Sequence, residues 1–260
     1  MPKLSIITVN LNNAKGLQRT VDSVFEQTFK DFEYIIMDGG STDGSKELIE
    51  KNADKLSYWV SEKDRGIYNA MNNGIAHTKG EYVLFLNSGD YLINADILEE
   101  VISELDGTGI VYGNVFLVIN SEKSWTGHYP VTLSFHHFVD SSLPHPASFI
   151  QRRLFDEVGF YDENMKIIAD WKFFLDAICR FNVSYKHLDK TISVYDHNGL
   201  SSMPENQDGI QKEKRAVLEN QYPLFMNDIA ELKQLRAFRN NPLISKFTSF
   251  MKTIGFIKSI

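Results

Sequence analysis

The sequence predicts an α/β protein built on a predominantly parallel, twisted central sheet flanked by helices. Three observations lead there. Short apolar runs rich in β-branched residues alternate with amphipathic helical stretches through the N-terminal part of the chain. Those runs are nearly continuous rather than alternating, as in strands buried on both faces. Polar and acidic residues follow the strand ends again and again, and the crevice beyond the carboxyl ends of the strands is where open α/β sheets bind ligands. With 260 residues the chain can form one large core or two closely packed lobes.

The first element is LSIITV, Leu4 to Val9, a short buried strand followed by Asn10, Asn12 and Asn13. LQRTVDSVFEQ then places Leu17, Val21, Val24 and Phe25 on one helical face. FEYIIMD is a second strand ending on Asp38, and the Gly-rich turn GGSTDG leads into the helix SKELIEKNA. Tyr58 to Val60 is a short strand, and SEKDRG is the loop behind it. IYNAMNNGIAHTKG reads as a helix that turns Ile67, Ala70, Met71 and Ile75 to the core. YVLFLN is the next strand and runs directly into Ser88-Gly89-Asp90. Beyond it, GIVYGNVFLVI, HPASFI and the alternation around 180–195 predict further strands, and ADWKFFLDAICRF predicts a helix. Residues 1–100 read as a nucleotide-binding lobe, residues 101–204 as a second layer closing over it, and 205–260 as a helical tail.

Composition narrows the function classes. A net charge of −7 argues against a broad nucleic-acid surface. A single cysteine, Cys179, excludes an internal disulfide scaffold and fits a reducing compartment. The opening residues carry no signal-peptide pattern, and no run of about 18 apolar residues is present to span a membrane. From Leu232 onward the tail carries Lys233, Arg236, Arg239, Lys246, Lys252 and Lys258 and no acid. Leu243, Phe247, Phe250, Ile254 and Phe256 are interleaved with them. Such a segment suits an anionic membrane surface; the alternative is a helix packed back on the protein or in a homodimer.

Several residues can carry chemistry. Asp90 ends a strand-to-loop run in which Gly89 permits close approach of a ligand. A carboxylate there can meet a diphosphate through Mg²⁺ or Mn²⁺; it equally suits a turn or a helix cap. Asp38 can accept a ribose hydroxyl or a base N–H, and its turn lacks the Gly-Lys-Ser/Thr ending of a Walker A loop. Arg65 can fork onto a diphosphate with Asp64 holding it, or the two form a surface pair. Asp170 can take the proton of an acceptor hydroxyl, or cap its helix. Trp171 beside it offers a sugar-stacking wall or core packing. His197 can complete the cation site, and His145 can line the acceptor cleft. No HExxH and no G-x-S-x-G pattern supports zinc-protease or hydrolase chemistry.

The ordered set SIITVNLNNAKGLQRTVDSVFEQTFKDFEYIIMDGGSTDGS, SEKDRGIYNAMNNGIAHTKGEYVLFLNSGD, HPASFI, ADWKFFLDA and YDHNGLS resembles the family-2 glycosyltransferases of GT-A fold, the kind that build bacterial surface polysaccharides. The resemblance covers roughly residues 4–202. It implies a nucleotide-sugar donor, a UDP-sugar by family prevalence, bound by Val9, Asn10, Asp38, Asp64, Arg65, Asn69, Asn87, Ser88 and Gly89. It implies Mn²⁺ or Mg²⁺ on Asp90 with His197, and Asp170 as base of an inverting single displacement. It places a lipid-linked or soluble saccharide acceptor near His145 and Trp171. The enzyme it implies is cytoplasmic, peripheral at the inner membrane face, and adds one sugar per acceptor. The rival reading is a nucleotide-sugar or glycan-binding module without catalysis. The chain departs from its relatives in carrying Asn87-Ser88-Gly89-Asp90 where a run like Asp-Ala-Asp-Asp is common, and Asp38-Gly39 where two acids are.

Overall fold

A computed structural model describes residues 1–119, 123–196, 199–239, 241–242, 244 and 251. His197 and most of the tail positions singled out above (Leu243, Lys246, Phe247, Phe250, Lys252, Ile254, Phe256 and Lys258) lie outside the described residues. The strands are β1 (Leu4–Asn10), β2 (Phe32–Asp38), β3 (Tyr58–Ser61), β4 (Tyr82–Phe85), β5 (Tyr91–Leu92), β6 (Ile110–Ile119), β7 (Lys123–Gly127), β8 (Ser148–Gln151) and β9 (Tyr185–Asp196). The helices are α1 (Ala14–Phe25), α2 (Ser45–Lys51), α3 (Ile67–Ala76), α4 (Ile97–Ile102), α5 (Phe135–Asp140), α6 (Leu154–Glu157), α7 (Ala169–Cys179), α8 (Gln207–Gln221) and α9 (Met226–Arg239).

All nine described strands join one sheet in the order β3-β2-β1-β4-β8-β6-β9-β5, with β7 beside β6. The N-terminal block β3-β2-β1-β4 is parallel throughout, and β6 and β9 are parallel to each other. Antiparallel pairing enters through β8, which lies between β4 and β6. The α/β architecture expected from the alternating runs is therefore present, and one sheet runs continuously from the N-terminal strands into the later ones.

The continuous apolar runs follow from cover on both faces. Leu4, Ile6, Tyr34, Ile36, Tyr82, Leu84 and Leu86 form one core with Leu17, Val21 and Val24 of α1, Ile49 of α2, and Leu98 and Val101 of α4. Side chains on successive strand residues point to opposite faces. The intervening residues accordingly meet α3, where Gly74 sits against Ile7 and Met37. Phe85 points the same way, into a ring cluster with His145, Phe155 and Tyr161. Each fully buried side chain of this size contributes about 1.5–3 kcal/mol.

Two of the boundaries that differ from the sequence reading have a clear local cause. HPASFI is not a strand from its start: His145–Ala147 is a 3₁₀ turn and β8 begins at Ser148. Pro146 has no N–H to give a ladder, so pairing starts after it. Helix α7 stops at Cys179, two residues short of the run ending at Phe181. Asn182 takes a left-handed φ of 51°, which turns the chain out of the helix.

The chain forms two compact units, Met1–Gln211 and Lys212–Ile260. In the second, Leu224, Phe225, Leu232, Leu235 and Phe238 are exposed. No helix among the described residues is long and apolar enough to cross a membrane.

Candidate active site

The site is built where β1, β2, β3 and β4 end side by side. Asn10 closes β1, and its Nδ2 donates to Asp38 Oδ1 at the end of β2 at 2.7 Å. Ser61, closing β3, donates to Asp38 Oδ2 at 2.6 Å. Ser41 gives its hydroxyl to Oδ1 at 2.5 Å and its backbone N–H to Oδ2 at 3.0 Å. Burial alone would raise the Asp38 pKa, but these donors outweigh it and hold the carboxyl below its ordinary value. Four donors occupy the acceptor sites of one carboxylate.

Beside it lies a cavity of about 230 Å³ lined by Asp38, Lys63, Asp64, Arg65, Asn69 and Asn73, among others. That is smaller than the roughly 300–1,000 Å³ of sites that enclose a drug-sized ligand. Asp64 Oδ1 accepts from Gly66 N at 2.8 Å. A Cβ on Gly39 would come within 2.7 Å of Asp64 Oδ2, so the absence of a side chain at 39 makes room for Asp64. Arg65 is not held by Asp64. Its guanidinium donates to Glu163 at 2.9 Å, and Glu163 also accepts from Asn69 at 3.0 Å and Asn72 at 3.1 Å. The Asn72 bond leads the set of donors that keeps Glu163 below the usual carboxylate range, against a smaller upward push from desolvation.

Helix α1 clamps the loop after β4. Asn13, its N-cap, accepts from Gly16 N and donates to Ser88 O at 3.0 Å. Thr20 accepts from Gly89 N at 3.0 Å and gives its one proton to the Asp90 carbonyl at 2.6 Å, the nearest of its acceptors. Ser88 N bonds to the Val9 carbonyl at 3.1 Å, tying the loop to β1. Gly89 has φ +111°, a conformation L side chains rarely adopt. Two amide oxygens at these strand ends, Asn10 Oδ1 and Asn87 Oδ1, are buried without a hydrogen-bond partner among the described residues. Left so, each costs about 1–3 kcal/mol; donors on a ligand would satisfy them.

Asp90 is 6% exposed. Its Oδ1 accepts from Asp196 N at 3.1 Å. Burial pushes its pKa up to about 7; the Asp196 N–H pulls it down, the negative charge of Asp196 adds a smaller upward push, and Arg19 lowers it least. Arg19 is committed to the Asp196 carboxylate, 2.9 Å away. Among the described residues no group of three or more His, Cys, Asp or Glu side chains could hold a metal ion. The donor chemistry nonetheless fits a hard divalent cation: Asp90 and Asp196 offer oxygen ligands, and Asp90 carries a buried charge that a cation would compensate.

Asp170 lies in the first turn of α7, and Tyr68 of α3 donates to its Oδ1 at 2.9 Å. Burial raises the Tyr195 pKa most; the Ser201 and Ser202 hydroxyls pull it down, and the charges of Asp90 and then Asp170 push it up less. His145 and Trp171 are placed differently from the acceptor-wall expectation. His145 stacks on Phe85 at 4.7 Å and bonds to the Tyr161 hydroxyl at 2.9 Å. Burial lowers its pKa, against a smaller upward pull from Asp170, and keeps it neutral. Trp171 is 1% exposed, and its indole N–H donates to the Phe138 carbonyl at 2.6 Å. Both are buried: His145 sits among the rings of Phe85, Tyr161 and Phe174, and Trp171 is held by the Phe138 carbonyl. Arg19, Tyr68, Glu163 and Asp196 were not singled out from the sequence, although Arg19, Tyr68 and Asp196 lie within the segments that carry the family resemblance; their partners in the fold identify them.

Residues 5–169 match the family model described as Glycosyl transferase family 2. A PGL/p-HBAD biosynthesis glycosyltransferase of Mycobacterium bovis is 31% identical over 208 residues, 77% of this chain and 80% of that one. The fold resembles Staphylococcus aureus TarS 1-349 in complex with UDP-GlcNAc, with a TM-score of 0.65 and 21% identity over 84% of this chain and 67% of that one. It also resembles the mannosyltransferase PcManGT of Pyrobaculum calidifontis in complex with GDP-Man and Mn²⁺, with a TM-score of 0.58 and 16% identity over 99% of this chain and 81% of that one.

Proposed function

The chain belongs to glycosyl transferase family 2, and from that membership we propose that it is an inverting, metal-dependent transferase moving one sugar from a nucleotide-sugar donor, a UDP-sugar, to a hydroxyl of a lipid-linked or saccharide acceptor in surface-polysaccharide synthesis. The observation that carries this reading is the row of polar groups closing four adjacent strands: Asn10, Asp38 and Ser61, with Asp90 in the loop after β4. The fold relatives bound to UDP-GlcNAc and to GDP-Man with Mn²⁺ support a nucleotide sugar and a divalent cation.

In this reading Asp38, Asp64, Arg65 and Asn69 line the nucleoside end, and Val9, Asn10, Asn87, Ser88 and Gly89 shape the floor under the donor. Asp90 and Asp196 would hold the cation, and His197, outside the described residues, is expected to complete the site. When bound, the cation supplies positive charge to the departing diphosphate. Asp170 takes the acceptor proton as the acceptor oxygen attacks C1 from the side opposite the leaving group, which inverts the anomeric centre. Arg65 reaches a diphosphate only after leaving Glu163.

Membrane attachment through the second unit fits the exposed Leu232, Leu235 and Phe238 of α9 beside Lys233. Insertion of such apolar groups with adjacent basic residues holds peripheral helices at anionic lipid. This would place the enzyme at the cytoplasmic face of the cell membrane, near a lipid-linked acceptor.

The test is a donor panel. UDP-, GDP- and dTDP-sugars are incubated with the protein in Mn²⁺, Mg²⁺ or EDTA, and nucleoside diphosphate release is recorded for wild type and Asp90→Ala. Metal-dependent release from one donor, lost in the variant, is the expected result. Release unchanged by EDTA and by the substitution refutes the metal mechanism.

A further inference from the structure

We propose that Tyr68 is the positioning residue of the Asp170 carboxylate, its phenol holding Oδ1 so that Oδ2 is left to take the acceptor proton; this rests on the reading of Asp170 as the base. Tyr68 is buried at the start of α3, 102 positions from Asp170 in the chain. Its hydroxyl donates to Oδ1 at 2.9 Å and also lies against the carbonyl oxygen of Ile167. Among the described residues, no other side chain bonds to the Asp170 carboxylate.

A phenol has one proton and here faces two acceptors. With Asp170 ionised, the bond to Oδ1 is charge-assisted and the stronger of the two. In the transfer step the acceptor oxygen bonds to C1, the bond from C1 to the diphosphate breaks, and the acceptor proton passes to Oδ2. Oδ1 then loses its charge, and the Ile167 carbonyl becomes the competing acceptor. The phenol turns between them by rotating one O–H, keeping its own proton throughout. Burial, and then the Asp170 charge, hold the Tyr68 pKa well above its ordinary value, so it is a donor at every working pH.

The phenol is delivered by a rigid piece. Asn72 on α3 donates to the Tyr161 carbonyl at 2.9 Å and accepts from Tyr161 N at 3.0 Å. Asn69 on the same helix bonds to Glu163. The segment that leads into Asp170 is thus fastened to the helix that carries Tyr68. The Tyr68 and Tyr161 rings lie 5.7 Å apart, which fixes the phenol laterally.

Tyr68→Phe keeps the ring and removes only the hydroxyl. Turnover with Mn²⁺ is measured on UDP-GlcNAc and GDP-mannose as nucleoside diphosphate release, for wild type, Tyr68→Phe, Asp170→Asn and the double variant. Crystal structures of wild type and Tyr68→Phe fix where the carboxylate sits. The expected result is a fall in kcat of about 10- to 100-fold in Tyr68→Phe, the loss of one hydrogen bond to a charged group, with KM changed less than about threefold. No further loss should appear in the Asp170→Asn background, and the carboxylate should leave its wild-type position. A kcat within about twofold of wild type, an additive loss in the double variant, or an unmoved carboxylate each overturns the proposal. Wild-type turnover in Asp170→Asn overturns instead the reading of Asp170 as base. In that case, or if neither donor turns over in wild type, the carboxylate decides: displaced, Tyr68 positions it; unmoved, it does not.

Discussion

Replacing Asp90 by Asn should stabilise the cation-free protein, against the usual effect of changing a buried residue at a functional site. The Asp90 carboxyl goes from an ordinary 3.8 to about 7 in the folded chain. Native Asp90 therefore binds its proton more tightly than the unfolded chain does. Stability without cation falls as pH rises from about 4 to about 7 and is level above that. The shift of roughly three units corresponds to at most about 4 kcal/mol at pH 8. Relaxation and water entry reduce it, leaving about 2–4 kcal/mol. Asn keeps an oxygen for the Asp196 N–H and carries no charge. In EDTA at pH 8 the variant should melt at least about 4 °C above wild type. At pH 5 the gap should shrink to roughly a third, because wild-type Asp90 then holds its proton. Mn²⁺ should raise the wild-type melting temperature and leave the variant unmoved. Scanning calorimetry at the two pH values, with and without Mn²⁺, measures all three. An Asp90→Asn protein that melts at or below wild type in EDTA at pH 8 would refute the reasoning, because the buried charge would then already be compensated.

Further outcomes follow from the same geometry. Gly39→Ala puts a Cβ 2.7 Å from Asp64 Oδ2 and must push that carboxylate into the cavity; calorimetric titration should show UDP binding weakened by about 3- to 10-fold, the scale of one disturbed polar contact. Glu163→Gln removes the charge that Arg65 meets on an exposed surface, so it should cost no more than about 1 kcal/mol in urea unfolding. The Glu163 pKa is depressed in the fold, so that cost should be present above its unfolded value near 4.5 and vanish as pH falls below it. Leu235→Asp with Phe238→Asp should lower binding to phosphatidylglycerol vesicles by about tenfold or more in co-sedimentation, the loss of at least one inserted apolar side chain; unchanged binding would remove α9 from the membrane contact.

Parts of the site were legible from sequence because they are local. The strand ends carrying Asn10, Asp38 and Asp90 follow directly from short apolar runs stopping at polar residues, and a parallel sheet aligns such ends on one edge. The face of α3 that packs on the sheet was readable from spacing for the same reason: Ala70, Met71 and Ile75 are all buried. Gly89 was readable as a place of close approach, and its φ of +111° accounts for the absence of a side chain there.

What the residues determined alone was therefore the α/β class, the family resemblance, and the polar residues that follow the early strands, Asp38 and Asp90 among them. Those depend on hydrophobic period and on breakers within a few residues of each other. The tertiary structure alone decided which groups meet: Arg19 with Asp196 across 177 positions, Arg65 with Glu163 across 98, Tyr68 with Asp170 across 102. It also decided that His145 is buried in a ring cluster and that Trp171 is buried with its indole N–H on the Phe138 carbonyl. The physical reason is that these contacts depend on sheet order and on the angle at which helices lie over it. A shift of one strand or one helical turn moves a side chain by several ångströms, and no local pattern in the sequence encodes that displacement.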